Sequence, residues 1–163
     1  LAIRHPDSIG RLVTASAGIR RDAQYADIVQ QQSQVGAAAA GFMKETPMYE
    51  LYARVAPRPE DFPRLLGKVG VALAQDYDFT ADVRDLRVPI LIVGADADLV
   101  PPRHFVEVFE LLGGGRRDGG WAGEGRPEGG HALAILPGLT HYNPFVSPLF
   151  VTTALAFPDQ GAA

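Results

Sequence analysis

Two acids and one histidine sit where a parallel sheet would put chemistry. Asp96 and Asp98 follow the apolar run VPILIVG (88–94), in the string GADADLVPP, and His141 follows ALAILPGLT (132–140). In parallel α/β sheets, functional groups collect just beyond the carboxyl ends of the strands. An acid and a histidine at the ends of neighbouring strands can meet there. A carboxylate that accepts the histidine Nδ1–H fixes the tautomer and stabilises the imidazolium, which is the supporting half of a nucleophile–His–acid triad. By residue type alone either aspartate fits, and either also suits a turn or a helix cap.

The remaining candidates carry less. His104 falls in the first turn of an expected helix and reads as a surface residue; His5 and His131 are weaker still. No H-x-x-x-H or H-x-H spacing supports a metal site. Tyr142 and Asn143 adjoin His141 and could line a pocket, although Tyr142 could equally be packing. Trp121 stands alone in a glycine-rich segment and either anchors that segment or lies exposed. The sequence has no cysteine, which excludes disulfides, thiolate metal sites and a cysteine nucleophile within it, and suits a reducing cytoplasm.

The elements that would position these groups alternate. Ile9–Ala17 reads as a short strand, and Asp22–Met43 as a helix rich in Gln and Ala. Lys44–Asp85 is punctuated by Pro47, Pro57, Pro59 and Pro63 and reads as short amphipathic pieces forming a cap. Val88–Gly94 is a continuous β-branched and Leu run, as a strand buried on both faces requires. A helix follows Pro101 and Pro102, with Phe105, Val108, Phe109 and Leu112 on one face. Residues 113–130 hold nine of the 18 glycines and read as a long exposed loop. His131–Leu136 is a third strand, and 144–157 a last helix. Strand and helix in this order mean an α/β fold with a mostly parallel sheet flanked by helices.

Length and charge bound the function. A chain of 163 residues can bury a real core. Its net charge of −4 argues against a nucleic-acid or anionic-membrane partner. No run of 18 apolar residues is present to span a membrane. The opening, LAIRHP, reads as the last turn of a helix stopped by Pro6, so the chain is expected to be a fragment of a larger domain.

The string VPILIVGADADLVPPRHFVEVFELLGGG, then a glycine-rich loop, then LAILPGLTHYN, resembles the C-terminal half of α/β-hydrolase fold proteins. In that family the acid lies after a late strand in a G-x-D-x-x-x-P type setting, and the histidine follows the last strand in PG-x-[ST]-H. The resemblance selects Asp98 as the acid, with Val100, Pro102 and His104 at the spacings of one bacterial subgroup, and His141 in PGLTH as the base. LAIRHPDSIGRLVTASA resembles the helix and strand after the nucleophile elbow, and 44–85 sits where the family inserts its lid. Met43, Met48, Tyr49, Tyr52, Phe62 and Leu66 would then either pack on the body or wall an apolar pocket.

The resemblance implies a hydrolase of ester-type bonds in a small apolar substrate, without a cofactor. One part of the pattern is missing. Ser8, Ser16, Ser33 and Ser147 all lack the G-x-S-x-G setting of the elbow. The nucleophile, Ser or Asp, is therefore expected upstream of Leu1, and this chain alone is expected to be inactive. The alternative is a truncated, non-catalytic relative that acts as a binding domain and self-associates through an exposed sheet edge. A nucleotide-binding α/β domain ranks last, because GADAD puts acids where a phosphate would sit.

Overall fold

The computed structural model describes residues 1–157. Its centre is a three-stranded parallel sheet in the order β1–β2–β3. β1 is Leu12–Ala15, β2 Ile90–Ala97 and β3 Ala132–Thr140. β2 is the middle strand, and its residues from Ile90 to Ala95 are buried. A strand flanked on both sides and covered on both faces needs the unbroken apolar run that the sequence shows. β1 is shorter than the 9–17 expected, because the pairing with β2 begins at Leu12↔Ile90 and ends at Ala15↔Val93.

Two compact units make up the chain. The first, residues 1–25 with the described residues from 77 onward, holds the sheet. One face of the sheet packs Ile90 and Ile92 against Val100, Phe105, Val108 and Leu112. The last three belong to or follow helix α6, Pro102–Leu111. The other face buries Leu91, Val93 and Leu136 with Phe157. Close packing of α6 depends on Gly94: a Cβ there would fall 2.2 Å from the Phe105 ring. Helix α5, Thr80–Arg84, belongs to this unit and adds Val83 to the core.

The second unit, residues 26–76, is helical. The helix expected over Asp22–Met43 is broken. A 3₁₀ turn at Arg21–Ala23 precedes α1 (Ala26–Gln32), another at Ala37–Ala39 follows it, and α2 is only Ala40–Met43. The break has a tertiary cause. A Cβ on Gly70 would sit 2.1 Å from the Val35 carbonyl oxygen, so the turn at Val35–Gly36 packs directly on α4, Phe62–Leu73. α3 is Pro47–Val55, with Pro47 in the first turn, where its missing N–H costs nothing. Ala40, Phe62 and Leu66 form this unit's core, with Tyr49 and Tyr52 tilted against the Phe62 ring at 4.9 and 5.1 Å. Met48 does not join them and is exposed, as are Phe42, Leu51 and Val55.

Residues 113–130 form no helix or strand, and Trp121 is fully exposed rather than anchoring the segment. The last helix is shorter than expected. Pro144–Val146 is a 3₁₀ turn, and α7 runs over Pro148–Leu155, restarted by Pro148. Among the described residues no helix is long and apolar enough to cross a membrane.

Candidate active site

β2 and β3 deliver their ends to the same place, but not by simple pairing. Register is regular from Leu91↔Ala132 to Ala95↔Leu136, and then shifts to Ala97↔Thr140. β3 thus takes four steps where β2 takes two. Regular pairing would set Gly138, not Thr140, opposite Ala97. Pro137 and Gly138 create the irregularity. Pro137 has no N–H to give a ladder, which an edge strand tolerates, and Gly138 takes a left-handed φ of +70°. Bulges of this kind re-aim the side chains that follow them. Here the residue after Thr140, His141, comes level with Asp98.

The pair is hydrogen bonded. His141 Nδ1 lies 3.0 Å from Asp98 Oδ1. The Asp98 side chain is wholly buried, while the His141 side chain keeps 34% of its exposure. A buried carboxylate needs donors, and Asp98 has three. Oδ1 also accepts the Val100 N–H at 3.3 Å, and Oδ2 accepts the Ala95 N–H at 3.4 Å. The two amides flank the turn that carries the acid, so the loop's own backbone orients the carboxylate toward the ring. With Asp98 ionised, Nδ1 is the protonated nitrogen and Nε2 is left as a proton acceptor on an accessible ring.

Asp96 has a different task. Its Oδ2 accepts the Gly138 N–H at 3.0 Å and so ties the end of β2 to the irregular part of β3. Asn143 orders the turn that carries His141. Its Oδ1 accepts the Thr140 N–H at 2.8 Å and the Thr140 hydroxyl at 3.4 Å. The same hydroxyl accepts the Tyr142 N–H at 3.2 Å, which closes the turn around His141. Tyr142 is 75% exposed and meets the His141 ring edge-on, with centroids 5.4 Å apart.

His104 is not a surface residue. It is 2% exposed, and its Nε2 accepts the Ile19 N–H at 3.2 Å. Nδ1 faces Glu107 Oε2 at 3.2 Å, and Glu107 pairs through both oxygens with Arg20. Burial pushes the His104 pKa down, against the opposing pull of Glu107. The neutral ring bridges α6 to the segment after β1. That segment also holds the acid loop, because the Tyr25 N–H donates to the Leu99 carbonyl at 3.3 Å. Among the described residues no three His, Asp or Glu converge closely enough to hold a metal ion.

Ser16 stands at the end of β1 with φ +54°, the one non-glycine residue at positive φ among those described. Its N–H donates to the Val93 carbonyl at 2.8 Å, while its hydroxyl is buried without a partner. The TASAG string gave no sign of this.

No protein-family model matches the chain, and no curated protein does. Solved structures do. A hydrolase from Pseudomonas aeruginosa PA01 shares 22% identity, with a TM-score of 0.54 over 99% of this chain and 59% of its own. MGS-M2, an α/β hydrolase enzyme from a Medee basin deep-sea metagenome library, shares 19%, with a TM-score of 0.58 over 99% and 60%. A thermophilic esterase from Thermogutta terrifontis shares 18%, with a TM-score of 0.56 over 94% and 57%. The chain spans about 60% of the length of these neighbours. Its architecture is thus a partial α/β-hydrolase fold: three parallel strands flanked by helices.

Proposed function

We propose that this chain carries the base and the acid of an α/β-hydrolase that cleaves ester-type bonds in a small apolar substrate. One observation supports this above the others: the bond from His141 Nδ1 to the buried Asp98 carboxylate. In this reading Nε2 takes the proton of a nucleophile hydroxyl as it attacks the substrate carbonyl. Nε2 then returns that proton to the leaving oxygen, and Asp98 stabilises the imidazolium between the two steps. Asp98 stays ionised throughout. A water molecule repeats the sequence to release the acyl group. No cofactor takes part.

The nucleophile is not assigned to residues 1–163, where no serine has the elbow setting. A serine from elsewhere in the protein makes the site an esterase. An aspartate in the same place suits epoxide opening or dehalogenation instead. The helical unit, residues 26–76, lies in sequence between β1 and β2 and is proposed as the family's cap insertion.

The experiment is a panel of short-chain esters offered to the protein that carries this chain together with a G-x-S-x-G segment. Hydrolysis that His141→Ala abolishes is expected. No hydrolysis, or hydrolysis that survives His141→Ala, refutes the assignment. The second reading, a non-catalytic domain that associates with another chain, is favoured by β1 standing at the edge of the sheet. Sedimentation that shows only monomer across a wide concentration range counts against it.

A further inference from the structure

At the opposite end of the sheet lies a basic cleft that the proposed hydrolysis does not use. It has a volume of about 860 Å³ and lies between the end of α5, the start of β2, the end of α6 and the glycine-rich segment. Arg84, Arg87, Arg116, Arg117 and Arg126 line it, with His131 on its wall. Asp85 and Glu128 are the acids there, so positive charge prevails. Arg117 gives one N–H to the Glu124 carbonyl at 3.2 Å. Among the described residues the other four arginines make no ion pair, although two carboxylates lie in the same cleft.

His131 supplies an independent observation. It is 7% exposed, and its Nδ1 is buried with no hydrogen-bond partner. Buried polar nitrogens are nearly always paired, and an orphan calls for a cause. Gly129 lies against the ring, and both it and Gly130 have left-handed φ, +88° and +69°. A Cβ on Gly129 would fall 2.7 Å from His131 Nε2, so only glycine lets the backbone lie this close.

We propose that this cleft binds the phosphate group of a small phosphorylated molecule, with the arginines that make no ion pair on its oxygens and His131, whose Nδ1 lacks a partner, on its wall. Arginine forks match phosphate oxygens two at a time, and charge-assisted bonds of this kind are the strong ones. The two interspersed acids and the overall charge of −4 suit one small anion better than the extended backbone of a nucleic acid. The cleft is separate from the Asp98–His141 pair. His131 precedes β3 and His141 follows it, and a nine-residue strand at roughly 3.3 Å per residue sets them on the order of 30 Å apart.

The test follows the amides of Gly129, Gly130 and His131 by NMR while the chain is titrated at constant ionic strength. The titrants are glycerol 3-phosphate, inorganic phosphate, sulfate and a short single-stranded RNA. Glycerol 3-phosphate is expected to give saturable shifts at these three residues. In the Arg87→Gln/Arg116→Gln double variant, affinity should fall by roughly tenfold or more, the loss of about one charge-assisted bond. Both arginines are exposed, so unchanged amides elsewhere confirm that this variant folds. Shifts that never saturate, or that sulfate matches, overturn the proposal. So does an undiminished response in the variant. Saturation by inorganic phosphate alone assigns the cleft to the free ion, and tighter binding of RNA assigns it to nucleic acid; either result also overturns the proposal.

Discussion

Asp96 Oδ2 holds the Gly138 N–H at 3.0 Å, at the point where β3 takes two more steps than β2. This contact joins the two candidate acids in one design, in which Asp98 meets the histidine and Asp96 fixes the irregularity that brings the histidine there. Asp96→Ala should therefore cost about 1 kcal/mol in a denaturant titration. It should also broaden the His141 ring N–H resonance. Asp96→Asn keeps an accepting oxygen and should restore both. An unperturbed His141 resonance in the alanine variant would separate Asp96 from the site.

Asp98→Asn is the cleaner probe of the acid. Alanine would strand both the Ala95 and Val100 amides, each a loss of roughly 1–3 kcal/mol, whereas asparagine keeps one oxygen to accept from one of them. In the chain itself, Asp98→Asn should abolish the downfield Nδ1–H resonance of His141. In a nucleophile-bearing protein it should lower turnover by about 10⁴-fold, because the imidazolium loses its stabilising charge and the favoured tautomer changes. A loss under tenfold would remove Asp98 from the acid role.

These residues show where sequence reasoning reaches and where it stops. The strand ends that carry Asp96, Asp98 and His141 were legible because they follow apolar runs, whereas the choice of Asp98 over Asp96 rested on the family resemblance. The register shift was not legible, since Pro137–Gly138 reads as the end of a strand rather than as a break inside one. His104 was missed by residue type alone. It lies four residues before Val108 and eight before Leu112, on the face that α6 buries, and that spacing was in the sequence. The break after α1 had no local sign strong enough to oppose a run of good helix formers. It comes from the Val35 carbonyl lying against Gly70, a contact between residues far apart in the chain.

The Gly94–Phe105 contact predicts a sharp steric effect. Gly94→Ala drives a methyl into the wholly buried Phe105 ring and should destabilise the chain by about 1–3 kcal/mol or more. Phe105→Leu alone leaves a void. The double variant should be more stable than the sum of the two single effects allows, because leucine yields the space that the methyl needs. Chemical denaturation of all four forms measures this coupling, and strict additivity would refute the contact.

Stability should also fall with acid in a window set by His104. Burial lowers its folded pKa below the ordinary 6.5, so the unfolded chain binds the proton more readily. Stability is then complete above about pH 6.5 and declines as pH falls from there toward the folded value. His131, lowered by burial and by Arg87, adds in the same direction. The Glu107 carboxylate, held low by its bond to Arg20, acts only below its ordinary value of 4.5. His104→Gln can still accept the Ile19 N–H but does not titrate. Between pH 6.5 and 5 its melting temperature should vary less steeply than that of the parent. Parallel curves for the two proteins would show that His104 is not responsible.

Ser16 combines two costs that substitution can separate. Its φ of +54° is unfavourable for any residue with a Cβ, by about 1 kcal/mol, and its hydroxyl is buried without a partner. Ser16→Ala removes only the hydroxyl, and Ser16→Gly removes the steric cost as well. Glycine also gives the unfolded chain more freedom, which offsets part of the gain. Both variants should be at least as stable as the parent, with glycine the more stable of the two by a few tenths of a kcal/mol or more. A partner for the hydroxyl, from a substrate or from another segment of the protein, would reverse that order: both variants would then lose stability whenever the partner is present. Melting curves of the three forms, alone and within a protein that also carries a G-x-S-x-G segment, distinguish a strained position kept for a contact from one that is merely tolerated.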